Sequence, residues 1–318
     1  MRYAITGATG FLGGVLARQL LDAGHEVVAL VRDPSRARDL ADAGVELVPG
    51  DLDDAPALDK LCAGADGLFH VAGWYKVGSR TPELGERVNV EGTRNALEAA
   101  RRNGVRRVAY TSTLATNSDT RGEVVDESYR FTGRHLSVYD RTKAAAHDIA
   151  VEYASDGLDV VILMPGVIYG PGDTSQVGAM IERTARGKRV VAPRDGGMCW
   201  AHVEDVARGH VAGMEKGAPG AAYMLAGPPA SLAEVLRSVA EIAGTKRPLT
   251  LPVSMVRATA ALNTAIGKVV RLPADYTGES LRASVATYLG TPARAEQELG
   301  WSARGLDEGL RDTVASLR

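Results

Sequence analysis

The chain has 318 residues, about two domains' worth of length. Of these, 45% are hydrophobic and 24% charged, and 37 Lys plus Arg against 39 Asp plus Glu leave a formal charge of −2. That balance excludes a disordered tail, a collagen-like fibre and a small disulfide scaffold, and it offers no global electrostatic case for nucleic acid or a membrane surface as partner.

Residues 2–5 read as a first strand, followed by a glycine turn. Leu12, Val15, Leu16, Leu20 and Ala23 then share one helix face, and Gly24 closes that helix. Residues 27–31 are apolar throughout, as in a strand covered by helices on both sides. Further strands are expected at 45–48, 68–71, 107–110 and 160–164, with helical patterns over 84–103 and 140–155. This rhythm predicts an α/β fold, a Rossmann-type doubly wound parallel sheet over residues 1–165. After Pro165, Gly-Pro punctuation breaks the pattern. Residues 190–225 are expected to return to the sheet. Residues 166–189 and 226–318 are expected to form a smaller, mostly helical substrate-binding part over the carboxyl ends of the strands, where ligands bind in such sheets. The basic runs Arg101-Arg102 and Arg106-Arg107 read as a solvated helix end. No stretch approaches eighteen apolar residues, and with a first strand read from residue 2 no signal peptide is expected. Cys62 and Cys199 lie outside any metal-binding spacing. A cytoplasmic protein without a metal site is the expectation.

Three groups of residues carry chemistry. In Thr6-Gly7-Ala8-Thr9-Gly10-Phe11-Leu12-Gly13 a glycine recurs every third residue between a strand and a helix. Gly7 suits a tight turn, Gly10 lets backbone approach a pyrophosphate, and Gly13 permits close helix–strand packing; free N–H groups and the positive helix end favour phosphates. At the end of the second strand stands Arg32, followed by Asp33, Arg36 and Arg38. A dinucleotide enzyme places an acid there for the ribose 2′-hydroxyl of NAD, or an arginine for the 2′-phosphate of NADP. NADP(H) is favoured and NAD(H) stays open. Asp51 and Leu52, after the third strand, are placed to border the adenine. Third, Tyr139 and Lys143 stand four apart on a helical pattern, so phenol and ammonium can converge. An ammonium roughly 4 Å away at an effective dielectric near 20 is worth about 4 kcal/mol. That would draw the phenol from its ordinary pKa near 10 towards neutrality, where acid–base catalysis works best. Upstream, Tyr110, Thr111, Ser112 and Thr113 offer hydroxyls at the end of a strand, one of which could hold a substrate carbonyl beside Tyr139.

Taken together, residues 6–13, Gly50-Asp51-Leu52, His70-Val71-Ala72-Gly73, Asn89-Val90-Glu91-Gly92-Thr93, Thr111-Ser112-Thr113, Tyr139 to Lys143, residues 165–172 and His202-Val203-Glu204-Asp205-Val206 resemble the extended short-chain dehydrogenase/reductase family in order and spacing. The resemblance runs from residue 1 to about 210 and returns at Glu298-Leu299-Gly300-Trp301. It implies Tyr139 as catalytic acid/base and Lys143 as the group that lowers its pKa and binds the nicotinamide ribose. The family's catalytic serine falls on Thr113, with Ser112 one register away. His70, Ala72 and Gly73 would line the middle of the cofactor, Pro165, Gly166, Val167 and Ile168 would flank the nicotinamide, and Asn89 would support local structure. The helices near 84–103 and 140–155 would form a homodimer interface, although packing on the sheet explains their apolar faces equally well.

Within the family the chain looks most like the dihydroflavonol reductase-like branch, whose members reduce ketones or aldehydes with NADPH. Leu114-Ala115 stand where sugar dehydratases carry Asp-Glu, and Gly166-Val167-Ile168 where nucleotide-sugar epimerases often carry Asn. Trp74, Tyr75, Leu114, Val167, Met198 and Trp200 would form an apolar pocket for a small-molecule carbonyl substrate, and read equally well as core. A nucleotide-sugar epimerase using NAD is the alternative reading, and a non-catalytic NADP-sensing protein the second.

Overall fold

The computed structural model describes residues 1–79, 81–266 and 277–318. Its first half is the expected alternation: β1 (Arg2–Thr6), α1 (Phe11–Asp22), β2 (Glu26–Val31), α2 (Arg38–Asp42), β3 (Glu46–Pro49), α3 (Ala55–Cys62), β4 (Gly67–His70), α4 (Glu83–Gly85), α5 (Gly92–Arg102), β5 (Arg107–Thr111), α6 (Val138–Ser155) and β6 (Val160–Pro165). The second half runs β7 (Val167–Tyr169), α7 (Gln176–Ala185), β8 (Val191–Pro193), β9 (Gly197–His202), α8 (Val203–Lys216), β10 (Ala222–Leu225), β11 (Pro229–Ala230), α9 (Leu232–Ala243), β12 (Leu249–Leu251), α10 (Val253–Ile266), α11 (Gly278–Ala283), β13 (Thr287–Tyr288) and α12 (Leu306–Ala315).

Seven strands form one parallel sheet in the order β10-β6-β5-β4-β1-β2-β3. The order reverses between β1 and β4, and both strands end at the glycine turn. The helical pattern near 84–103 is one interrupted helix, in which a π-helical turn over Glu86–Glu91 joins α4 to α5. The return to the sheet begins at α8, not at residue 190. Residues 197–202 instead form β9, the centre of a small second sheet with β7, β11 and β13. Trp200 explains the difference: it is fully buried with Tyr169, Leu236 and Val239 in a core separate from those on the two faces of the main sheet.

Helix starts follow the local chemistry. Ser137 caps α6 by accepting from Asp140 N at 3.0 Å, and Ser231 with Glu234 makes a reciprocal capping box on α9. Gly24, at φ +77, follows the last turn of α1 in the left-handed conformation glycine accepts without strain. Each basic run is partly paired: Arg102 meets Asp59 at 2.8 Å and Arg107 meets Asp159 at 2.8 Å.

Candidate active site

At the carboxyl end of β1 the backbone turns at Gly7, whose φ is +78 and where a Cβ would stand 2.7 Å from Ala72 N. A Cβ on Gly13 would stand 2.1 Å from Gly7 O, so the helix can pack onto the turn only with glycine there. Gly10 is the N-cap of α1 and supplies no side-chain cap, which leaves the first-turn N–H groups to an anion. This cradle fits a dinucleotide pyrophosphate. Phe11 and Leu12 open the helix, Leu12 already turned into the core.

Thr6 and His70 belong beneath this surface. Both are fully buried, with Thr6 Oγ1 2.8 Å from His70 Nδ1 and accepting from Ala72 N at 3.2 Å. Their side chains fix the geometry of the turn from below. Ala72 is half-buried and Gly73 exposed. At the ribose end Arg32 is exposed and makes no ion pair among the described residues, and Arg36 is exposed beside it. Asp33 is committed elsewhere: its Oδ1 accepts from Ser35 N at 3.0 Å and Ser35 Oγ at 2.6 Å. Asp51 accepts from the backbone N–H of Leu52 at 2.8 Å and faces Arg87 at 3.4 Å.

The hydroxyls past β5 separate by partner. Thr111 Oγ1 lies 2.9 Å from His210 Nε2, and Ser112 Oγ lies 2.9 Å from His147 Nδ1. Neither is at Tyr139. The Thr113 hydroxyl accepts from Ala115 N at 3.2 Å and is the one of the three that acts on the Tyr139 phenol, favouring its ionised form. Of the two registers left open by the sequence, the structure brings Thr113 to the phenol.

The expected ammonium–phenol pair is not formed. Lys143 Nζ donates to Thr111 O at 2.7 Å and to Tyr110 Oη at 3.1 Å, and sits 4.8 Å from the Tyr110 ring centroid. Burial pushes the Tyr139 phenol up, to about 12, against the opposing influence of the Thr113 hydroxyl and with the Asp140 charge adding to the rise. Burial pulls the Lys143 amine down to about 7. The spacing of four puts both groups on one helix face, but removing a phenolate from water outweighs what an ammonium aimed at another partner returns.

Tyr110, expected only as one of four hydroxyls open to a substrate carbonyl, serves Lys143 instead. In a strand buried on both faces it looks like core, and it is fully buried. Its hydroxyl nevertheless accepts from Lys143 at 3.1 Å, its ring stacks on His70 at 5.8 Å, and Thr93 Oγ1 lies 3.1 Å from His70 Nε2. A buried hydrogen-bonded chain therefore runs from Thr93 through His70 to Thr6 at the glycine turn, with the Lys143–Tyr110 pair packed against it. Glu279 was silent in the sequence: its Oε1 accepts from Val138 N at 3.0 Å and Gly78 N at 3.4 Å, tying α11 to the start of the helix that carries Tyr139. Asn89 holds both backbone groups of Trp74, at 2.7 and 2.9 Å, and donates to Thr142 at 2.9 Å.

The expected pocket resolves into two groups. Trp200 and Leu114 are core, the Trp200 indole donating to Ala230 O at 2.9 Å and Leu114 packing on Gly290. Trp74 is buried against Gly85. Val167 and Met198 are half-buried and Tyr75 is exposed, so these three remain available to a ligand. Pro165 ends β6, and Gly166 is required by contact, since a Cβ there would meet Cys199 O at 2.2 Å. Ile168, in β7, is half-buried.

Residues 3–226 match the model of the NAD dependent epimerase/dehydratase family. The chain belongs to that family. It is 33% identical over 325 residues to a putative dihydroflavonol 4-reductase of Synechocystis sp., covering 98% of this chain and 93% of the relative. It is 34% identical over 319 residues to a ceramide reductase of Caulobacter vibrioides, covering 98% and 92%. The UDP-glucose 4-epimerase of Thermus thermophilus, solved in complex with NAD, superposes with a TM-score of 0.81 at 25% identity, over 100% of this chain and 99% of that one. This member of the epimerase/dehydratase family is an NAD(P)-dependent oxidoreductase of the extended short-chain dehydrogenase/reductase type, and the curated proteins it resembles include several named as reductases. Among its described residues no helix is long and apolar enough to cross a membrane.

Proposed function

We propose that this enzyme reduces a ketone or aldehyde carried on a largely apolar substrate, with NADPH as reductant. The observation that carries the reading is the Tyr139 phenol at the carboxyl end of β5, held protonated by burial with the Thr113 hydroxyl acting on it. A phenol that keeps its proton at neutral pH is suited to deliver it to an alkoxide as charge develops there. The bound dinucleotide supplies the hydride. Thr113 holds the carbonyl oxygen within reach of Tyr139, and Lys143, anchored by Tyr110 and Thr111, places positive charge beneath the same site. Gly7, Thr9, Gly10 and Gly13 make room for the pyrophosphate. Arg32, unpaired, and Asp33, already bonded to Ser35, together favour a 2′-phosphate over a free 2′-hydroxyl.

The apolar character of the substrate is supported by half-buried Val167 and Met198 and by the name of the ceramide reductase relative. A homodimer through the outer faces of α5 and α6 belongs to the same reading, since Val151 on α6 stays 37% exposed.

The test is to follow loss of the reduced-nicotinamide absorbance with NADPH and with NADH against a panel of apolar ketones and aldehydes. Consumption of NADPH in preference to NADH is expected. Conversion of a nucleotide-sugar without net change in absorbance would instead establish the epimerase.

A further inference from the structure

Five of the large apolar side chains left in solvent stand on the paired strands β8 and β12 and on α10, which follows β12 in the chain: Val191, Leu249, Leu251, Met255 and Leu262, between 37% and 59% exposed. The pattern is the reverse of what a soluble strand shows. In β12 the two leucines point out while Thr250 between them is half-buried, and on the paired strand Val191 points out while Ala192 is buried. Leu249 is in register with Val191, and Leu251 with Pro193, so the exposed side chains adjoin across the ladder. The chain passes through Pro252 directly into α10, where Met255 and Leu262 stand seven residues apart on one side while Val256 and Ala260 face the core.

Charge on the same segments is equally uneven. Residues 186–195 and 245–266 hold seven Lys and Arg against one acid, Asp195, in a chain whose formal charge is −2. Lys188, Arg189, Arg194, Lys246 and Arg257 are exposed and form no salt bridge among the described residues. Cations flank the apolar strip before β8, after β8, before β12 and within α10.

We infer that the face made by β8, β12 and the start of α10 docks on an anionic lipid surface, its leucines, valine and methionine entering the interface and its basic rim meeting the headgroups. An apolar strip bordered by unpaired cations is complementary to such a surface in both of its components. A nucleic acid fits less well, because no aromatic side chain interleaves the cations to stack on bases. The near-neutral net charge of the chain does not oppose docking, because the potential that a surface feels is local. This inference is independent of the carbonyl-reductase reading, because docking requires no turnover.

The experiment is cosedimentation of the full chain with vesicles of phosphatidylcholine alone and of phosphatidylcholine with phosphatidylglycerol in a three-to-one ratio. Binding to the mixed vesicles, loss at high salt and little binding to the neutral ones are expected. Leu249→Ser with Leu251→Ser should abolish binding, and Lys188→Glu should weaken it about fivefold or more. Both change exposed positions; thermal unfolding checks that they fold, and Met255→Ser with Leu262→Ser repeats the test on α10 alone. Wild-type protein that stays in the supernatant overturns the inference, as does binding that the leucine and α10 variants leave unchanged. So does a concentration-dependent dimer that those variants disperse, which would assign the face to a second copy.

Discussion

The Tyr110 side chain serves Lys143 twice, as hydrogen-bond acceptor at 3.1 Å and as an aromatic face 4.8 Å from the ammonium. With Thr111 O at 2.7 Å these are the contacts that keep a buried amine where a cation is useful, and both come from β5, the strand that also leads to Thr113. His70, lowered to about 3, and His147, lowered to about 4, are the neighbouring titratable groups that feel its charge.

Tyr110→Phe keeps the ring and removes the acceptor. A hydrogen bond to a charged group contributes about 1.5–3 kcal/mol, so the alkaline limb of kcat/KM, set by Lys143 near pH 7, should move to lower pH by on the order of one pH unit. The measurement is a pH profile of wild type and variant; coincident profiles would remove Tyr110 from the positioning of Lys143.

Tyr139→Phe should leave NADPH binding nearly intact while turnover falls by roughly 10²–10⁴-fold, the usual worth of a positioned general acid. Thr113→Val should lose most activity and Thr113→Ser should retain it, because the hydroxyl is the group at the phenol. Ser112→Ala, which removes a partner of His147, should change stability more than kcat. Steady-state kinetics beside thermal unfolding separates the two.

Arg32→Ala removes an exposed cation with no structural partner, so the fold should not notice. NADPH affinity should fall by about tenfold or more, the worth of a charge-assisted bond to phosphate, while NADH affinity hardly changes. Titration calorimetry with both dinucleotides reads this directly.

Gly13→Ala would drive a methyl to within 2.1 Å of Gly7 O. Backbone on both sides cannot yield as a side chain could, so a loss of about 1–3 kcal/mol or more is expected, together with loss of dinucleotide binding. Gly14→Ala, one residue on, meets its nearest neighbour only at 3.4 Å and serves as the control.

Acid should destabilise the fold. His70, His147 and His210 titrate near 3, 4 and 4, all depressed first by burial. Between those values and the ordinary 6.5 the unfolded chain binds the extra protons, so stability is present above pH 6.5 and is lost as pH falls. Asp140, raised by burial to about 6, works the other way, because the folded state binds its proton first. Near pH 5 the net excess is about two protons on the unfolded side. Tm should drop steadily from pH 7 to pH 5, and a flat or rising Tm would contradict the burial of these histidines.

Much of this enzyme was legible in its sequence because the deciding features were local. Period-two and period-3.6 patterns place β1 to β6 and the helices between them, and glycine at 7, 10 and 13 announces a turn that only a backbone without Cβ can make. The spacing of Tyr139 and Lys143 likewise declares a shared helix face. What the sequence left open depends on partners distant along the chain. Thr113 and Ser112 are adjacent hydroxyls, and only the packing of α6 on β5 hands one to Tyr139 and the other to His147. Trp200 reads as pocket or core until β9 is seen to leave the main sheet. The direction in which the Lys143 ammonium points was beyond any spacing rule, since it is set by a hydroxyl and a carbonyl on a strand more than thirty residues earlier and by the cost of burying charge, which exists only once the protein has closed around it.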